Sequence, residues 1–161
     1  MTTTTMNKYF IFISLLCALC ACSGDDEEDK DMVKPSISES GIVASPIDCL
    51  VLHKGDVLPF RYVFEDNVEL GKFNIEIHHN FDHHTHSTSA LECELDDKKQ
   101  PVNPWVYNED YDIPENQKKY NAHLDIEIPE DIDTGDYHFA IRLTDKTGWQ
   151  TLKAVSIKII E

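Results

Sequence analysis

From about Pro35 to the end of the chain, apolar residues recur at every second position in short runs separated by turn residues, and helical periodicity is absent. A period of two sends alternate side chains to opposite faces of an extended strand, so each run has one face to bury and one to wet. Leu58, Phe60, Tyr62 and Phe64 alternate with Pro59, Arg61 and Val63; after the turn-like Glu65-Asp66-Asn67, the residues Phe73, Ile75 and Ile77 alternate with Asn74, Glu76 and His78. Leu124, Ile126 and Ile128 form a third run. Tyr137, Phe139, Ile141 and Leu143 form a fourth, opposed by His138, Ala140, Arg142 and Thr144. Asp145-Lys146-Thr147-Gly148 reads as a hairpin turn into a closing strand through Val155, Ile157 and Ile159. With shorter strands expected at 49–53 and 91–95, the count is about seven over residues 35–161, the pattern of an all-β, immunoglobulin-like antiparallel sandwich.

Two connections stand out. The stretch from Ile128 to Tyr137 contains Gly135 for a tight turn and then a tyrosine at the start of a strand, and it resembles the tyrosine corner of immunoglobulin-like domains. The segment from Asp96 to Lys119 carries Trp105, Tyr107 and Tyr111 but shows no period. A structureless stretch this long is often functional, so these aromatic residues either cap the open edge of the core or form a ligand loop.

The N-terminus reads as an address. Lys8 precedes an apolar run from Tyr9 to Ala21, too short to span a bilayer as a helix, and small residues precede Cys22. Leu19-Cys20-Ala21-Cys22 resembles the lipobox of bacterial lipoproteins, which implies lipid on Cys22 and removal of residues 1–21 as a signal peptide. Met6 is an alternative start. Residues 22–34 contain an acidic run expected to be a disordered tether, because it has too little apolar surface to offset the entropy of ordering. Acid directly behind the lipidated cysteine resembles the surface-export signal of Bacteroidetes lipoproteins; the alternative is a spacer facing the periplasm. With Cys22 lipidated and Cys17 and Cys20 removed, Cys49 and Cys93 remain in an oxidising compartment and are expected to pair.

The chain has 14 Lys and Arg against 30 Asp and Glu, for a formal net charge of −16. Such a field repels phosphate backbones and attracts cations, so nucleic acid is excluded as a partner and the membrane is expected to be reached through the lipid alone.

The chemical signal is the run from His78 to His86. His78, His79, His83, His84 and His86 put five of the chain's eight histidines here, together with Asp82. Neutral imidazole is a common ligand of Zn, Cu, Ni and Fe, and rings from one strand end and the loop after it can converge without long-range folding. His78 has outward parity, and His79 has core parity where its strand ends. In an immunoglobulin-like fold the third strand pairs with the sixth, which makes outward-facing His138 a further candidate, as is His79. Zinc is the default ion. A solvated loop, or a proton-driven switch of adhesion, would use the same residues differently. The spacing matches no established zinc signature, and no G-x-S-x-G, Gly-rich phosphate loop or activated cysteine indicates an enzyme. Asp82 or Glu76 could act as a base only if the site were a metal-dependent hydrolase.

The lipobox, acidic run, Cys49, the segment Asp66–Ser87, Cys93 and the closing G-D-Y-H-F-A-I-R-L-T-D-K-T-G together resemble a Bacteroidetes lipoprotein family of unknown function, most specifically through N-F-D-H-H-T-H at Asn80–His86. The resemblance implies an immunoglobulin-like sandwich on a lipid anchor and carries over no activity. The expectation from the residues is a transition-metal site at His78, Asp82, His83, His84 and His86. A metal-free adhesion or glycan- or protein-binding module using Trp105 and Tyr107 is the alternative, with an extracellular ligand or envelope protein as partner.

Overall fold

The computed structural model describes residues 30–85 and 93–161, and among these every regular element is a strand. The strands are β1 (Ser36–Ser38), β2 (Leu50–His53), β3 (Val57–Glu65), β4 (Leu70–His79), β5 (Tyr107–Asp112), β6 (Lys119–Glu127), β7 (Gly135–Asp145) and β8 (Gln150–Ile160). They form two sheets with strand orders β1-β3-β6 and β2-β8-β7-β4-β5. This is an immunoglobulin-like sandwich. The N-terminal segment divides between the sheets: β1 runs antiparallel to β3, whereas β2 runs parallel to β8. That parallel pair departs from the purely antiparallel expectation. It lets one stretch of chain cover the outer edge of each sheet, edges that would otherwise present unpaired backbone groups.

The alternating residues form the core as their parity requires. Leu58, Phe60, Tyr62 and Phe64 of β3 face Phe73, Ile75 and Ile77 of β4 and Phe139 and Ile141 of β7, and all are buried. Phe60 joins the two layers, its ring centre 5.8 Å from that of Phe73 and 5.9 Å from that of Phe139. Removing a ring at such a position costs about 3–5 kcal/mol, because the surrounding atoms cannot collapse into the space.

Two local expectations are corrected. Within 91–95, the described residues Cys93–Leu95 lie outside any strand. The stretch 96–119, expected to be irregular, contains β5 at the edge of the larger sheet. Its sequence YNEDYD places Glu109 between Tyr107 and Tyr111 on one face, which dilutes the period-two signal. Of the two readings of the aromatic residues in this stretch, a ligand loop or a cap on the core edge, the packing is that of the cap. Trp105 is buried, Tyr111 stacks on Phe73 with ring centres 5.0 Å apart, and the hydroxyls of Tyr107 and Tyr111 hydrogen-bond to each other. They cap the core edge because their rings bury more area there than on an open loop.

The corner before β7 takes the expected form. Tyr137 donates its hydroxyl to the Asp133 carbonyl at 2.6 Å and accepts the Trp105 backbone N–H at 3.2 Å; burial pushes the phenol pKa up to about 12. Gly135 has φ +121, and a Cβ there would meet Phe81 Cε1 at 3.0 Å. A side chain at this position would therefore push on the loop that leaves β4.

Cys49 and Cys93 are joined by a disulfide, with Cα atoms 5.3 Å apart. The Cys49 N–H also bonds the Ser156 carbonyl at 2.8 Å, so the bridge ties the β2–β8 edge to the chain returning from the histidine run.

Candidate functional site

β4 and β7 pair in a register that sets His78 directly beside His138, both on the outer face of the larger sheet. Outer-face residues are usually wet, yet His138 is only 2% exposed, because the chain leaving β4 folds back over it. A turn makes that reversal: the His83 N–H bonds the Asn80 carbonyl at 3.1 Å, and His83 takes the left-handed conformation with φ 60. A non-glycine residue in that conformation costs about 1 kcal/mol, which the anchored loop must absorb. The loop is held on its return side as well. Lys99 N–H bonds the Phe81 carbonyl at 3.1 Å, Asp96 N–H bonds Asp136 Oδ2 at 2.8 Å, and Lys158 Nζ lies 2.7 Å from Asp96 Oδ1.

The reversal brings His84 onto the pair already made by the strands. The ring centres of His78, His84 and His138 are 5.4 Å, 5.5 Å and 5.1 Å apart, with the first two stacked and His138 edge-on to both. Two of the rings have one nitrogen hydrogen-bonded to an acceptor: His84 Nδ1 lies 2.5 Å from Asp82 Oδ1, and His138 Nε2 donates to the His84 carbonyl at 3.0 Å. His78 Nδ1 lies 3.1 Å from Glu76 Oε1, an ion-pair distance without hydrogen-bond geometry. A neutral imidazole that donates through one nitrogen carries its lone pair on the other. The His84 hydrogen bond is the main cause of an Asp82 pKa below the ordinary carboxylate value. Among the described residues, the nitrogens of these three rings do not all close to within 4.8 Å of one another.

The other expected ligands are arranged differently. His83 Nε2 donates to the Asp96 carbonyl at 2.9 Å, so this ring anchors the loop to its return side. His79, with inward parity, packs against Phe81 with ring centres 4.9 Å apart. Neither joins the cluster, since consecutive strand residues point to opposite faces and the turn aims His83 sideways. Asp82 backs His84, and Glu76, considered above only as a base, backs His78. Its position two residues from His78 on the same face was the available signal. His86 and Cys22 lie outside the described residues, as does the whole signal segment 1–21. Of the expected tether, Asp31 is buried against the domain.

Fold and site together define an immunoglobulin-like β-sandwich with three imidazoles gathered under a loop on the outer face of its larger sheet. The chain belongs to the family described as Domain of unknown function (DUF4625), whose model matches residues 20–160. Comparison with curated proteins finds no match.

Proposed function

We propose that this domain binds a transition-metal ion through His78, His84 and His138, with His86 as a fourth candidate, on a bacterial outer-membrane lipoprotein anchored through Cys22. The observation that carries the reading is the meeting of three imidazoles from two strands and a loop. Zn–N bonds of about 2.0–2.1 Å in a tetrahedral site set the centres of neighbouring imidazole rings roughly 5 Å apart. The separations of 5.1–5.5 Å match that spacing, and side-chain rotation is the adjustment needed to turn the nitrogens inward. Carboxylates behind His84 and His78 support the reading too, because such partners orient ligand rings and make them more basic. An all-nitrogen set suits Zn, Ni, Cu(II) and Fe alike, and zinc is taken as the default ion.

Lipid attachment and display on the cell surface are part of the same proposal and rest on the lipobox and the acidic run. Fatty-acid labelling of the full chain, lost in Cys22→Ser, is the expected result; equal labelling of the variant overturns the anchor. The metal reading is tested by metal content and calorimetry on tag-free protein. Stoichiometric binding of one zinc with a raised melting temperature is expected. Sub-stoichiometric metal, with no thermal shift on adding Zn, Ni, Cu or Fe, retires it.

A further inference from the structure

At the opposite end of β4 and β7, three carboxylates from distant parts of the chain come together. Asp31 precedes β1, Asp66 lies in the turn between β3 and β4, and Asp145 ends β7. Each offers one oxygen to a set lying within 4.8 Å of one another. Acidic clusters are common on protein surfaces, but two members of this one are buried, Asp31 at 8% and Asp145 at 4% exposure, and Asp66 is half-buried.

The hydrogen bonding divides each carboxylate in the same way. One oxygen is engaged by the protein. Asp31 Oδ1 accepts from Val33 N–H and Asn67 Nδ2, Asp66 Oδ2 from Val68 and Glu69 N–H, and Asp145 Oδ1 from Trp149 N–H and Thr147 Oγ1. The other oxygen of each, Asp31 Oδ2, Asp66 Oδ1 and Asp145 Oδ2, is buried and has no hydrogen-bond donor. Among the described residues, no Lys, Arg or His forms an ion pair with any of the three. Asp31 and Asp145 are buried and Asp66 is half-buried, and the oxygen of each that no donor reaches is the one left to be satisfied.

We infer that Asp31, Asp66 and Asp145 bind a hard divalent cation, calcium, which pins the N-terminal segment to the β3–β4 turn and the β7–β8 hairpin. The donor set is all oxygen, which suits calcium or magnesium and not the ions favoured by imidazole. Calcium–oxygen bonds of about 2.3–2.6 Å bridge oxygens separated by up to roughly 5 Å, whereas the shorter bonds and strict octahedron of magnesium do so poorly. The surrounding chain is already arranged as a clamp. Trp149 Nε1 donates to the Asp31 carbonyl at 2.9 Å, and Gly71 leaves room for β7 to approach, since a Cβ there would sit 2.9 Å from the Asp145 carbonyl oxygen. This inference does not depend on the histidine site.

The test is calcium titration of the whole domain after chelation, read by calorimetry and melting temperature, with Asp66→Asn and Asp145→Asn beside the wild type. Asparagine keeps an acceptor for the local N–H groups while removing the charge. One calcium per chain and a rise of about 3 °C or more are expected for the wild type at about 10 mM calcium, a concentration above the affinity range of extracellular calcium modules. In chelator, Asp66→Asn should melt at or above the wild-type temperature, because one repelling charge is gone; in calcium it should melt below it. If Asp145→Asn does not fold, Asp66→Asn alone decides. No heat and no shift for the wild type, or an equal shift in Asp66→Asn, overturns the site.

Discussion

β4 and β7 lie side by side and carry ligand-type side chains at both ends, yet the two ends are made from different materials in different ways. The register runs from Leu70 beside Asp145 to His78 beside His138, a separation of about 25 Å along the strands. One end gathers imidazoles, two of them from a single short segment, and fixes a nitrogen of His84 and of His138 with a neighbouring acceptor. The other gathers carboxylates from three remote segments and leaves one oxygen of each without a donor. Soft-to-borderline nitrogen and hard oxygen select different ions, so a single rigid strand pair can present two chemistries that do not compete. At that distance, changes at one end are expected to leave the other almost untouched.

The strongest challenge to that independence is the disulfide. Its cysteines are 44 positions apart, and removing the closed loop with Cys49→Ser/Cys93→Ser should cost about 4 kcal/mol of stability, read from denaturant unfolding. The same variant, kept folded at low temperature, should bind zinc more weakly while its calcium response persists, because the bridge anchors the chain returning from the histidine run to the β2–β8 edge. Equal loss at both ends would show that they are one cooperative unit.

Single histidines sharpen the contrast within the nitrogen end. His84→Ala and His138→Ala should each weaken zinc binding by about 100-fold or more in competition titrations, whereas His83→Ala should change it less than about threefold, since that ring is turned to the Asp96 carbonyl. Asp82→Asn removes a backing carboxylate and should cost about tenfold.

Between the ends, Tyr137→Phe removes a hydroxyl that both donates and accepts, for an expected loss of about 1–2 kcal/mol in urea unfolding with no change in either ion's stoichiometry. The smallest effect is on pH. Asp82 is held below its ordinary pKa by the His84 hydrogen bond, and Asp31 by the Asn67 hydrogen bond and then the Val33 N–H. A carboxyl group lowered in the folded state adds stability above its ordinary value of 3.8, and that contribution is lost as pH falls through the lowered value. Thermal stability in chelator should therefore show no loss from these groups between pH 5 and 7 and a modest loss below about pH 4. A gain on acidification in that lower range would reverse the sign assigned to both groups.

Much of the sandwich was legible because burial on one face of a strand writes itself into the chain as alternation. Phe60, Phe73 and Phe139 were placed on core faces by parity, and all three are buried. β5 was missed because an edge strand needs little apolar content, and β2 gave no sign of pairing in parallel with β8. The histidines were conspicuous as a cluster, and parity on β4 and β7 placed His78 and His138 on one surface. Which loop histidine would join them was not legible. That depends on the left-handed turn at His83 and on the anchoring of Asp96, Lys99 and Cys93, all contacts between remote segments.

The aspartates show the limit most clearly. Asp31 read as part of a disordered tether, which its burial against the domain overturns; Asp66 read as a turn residue and Asp145 as the start of a hairpin, and those two readings hold locally. Strand alternation is a property of neighbours along the chain, so the amino-acid order by itself determined the two-layer β architecture, the facing aromatic core and the surface shared by His78 and His138. The meeting of three acids at one end, and of His84 with the strand histidines at the other, was decided only by tertiary packing. Proximity between residues far apart in the chain is set by sheet register and loop closure, and neither leaves a periodic trace in the sequence.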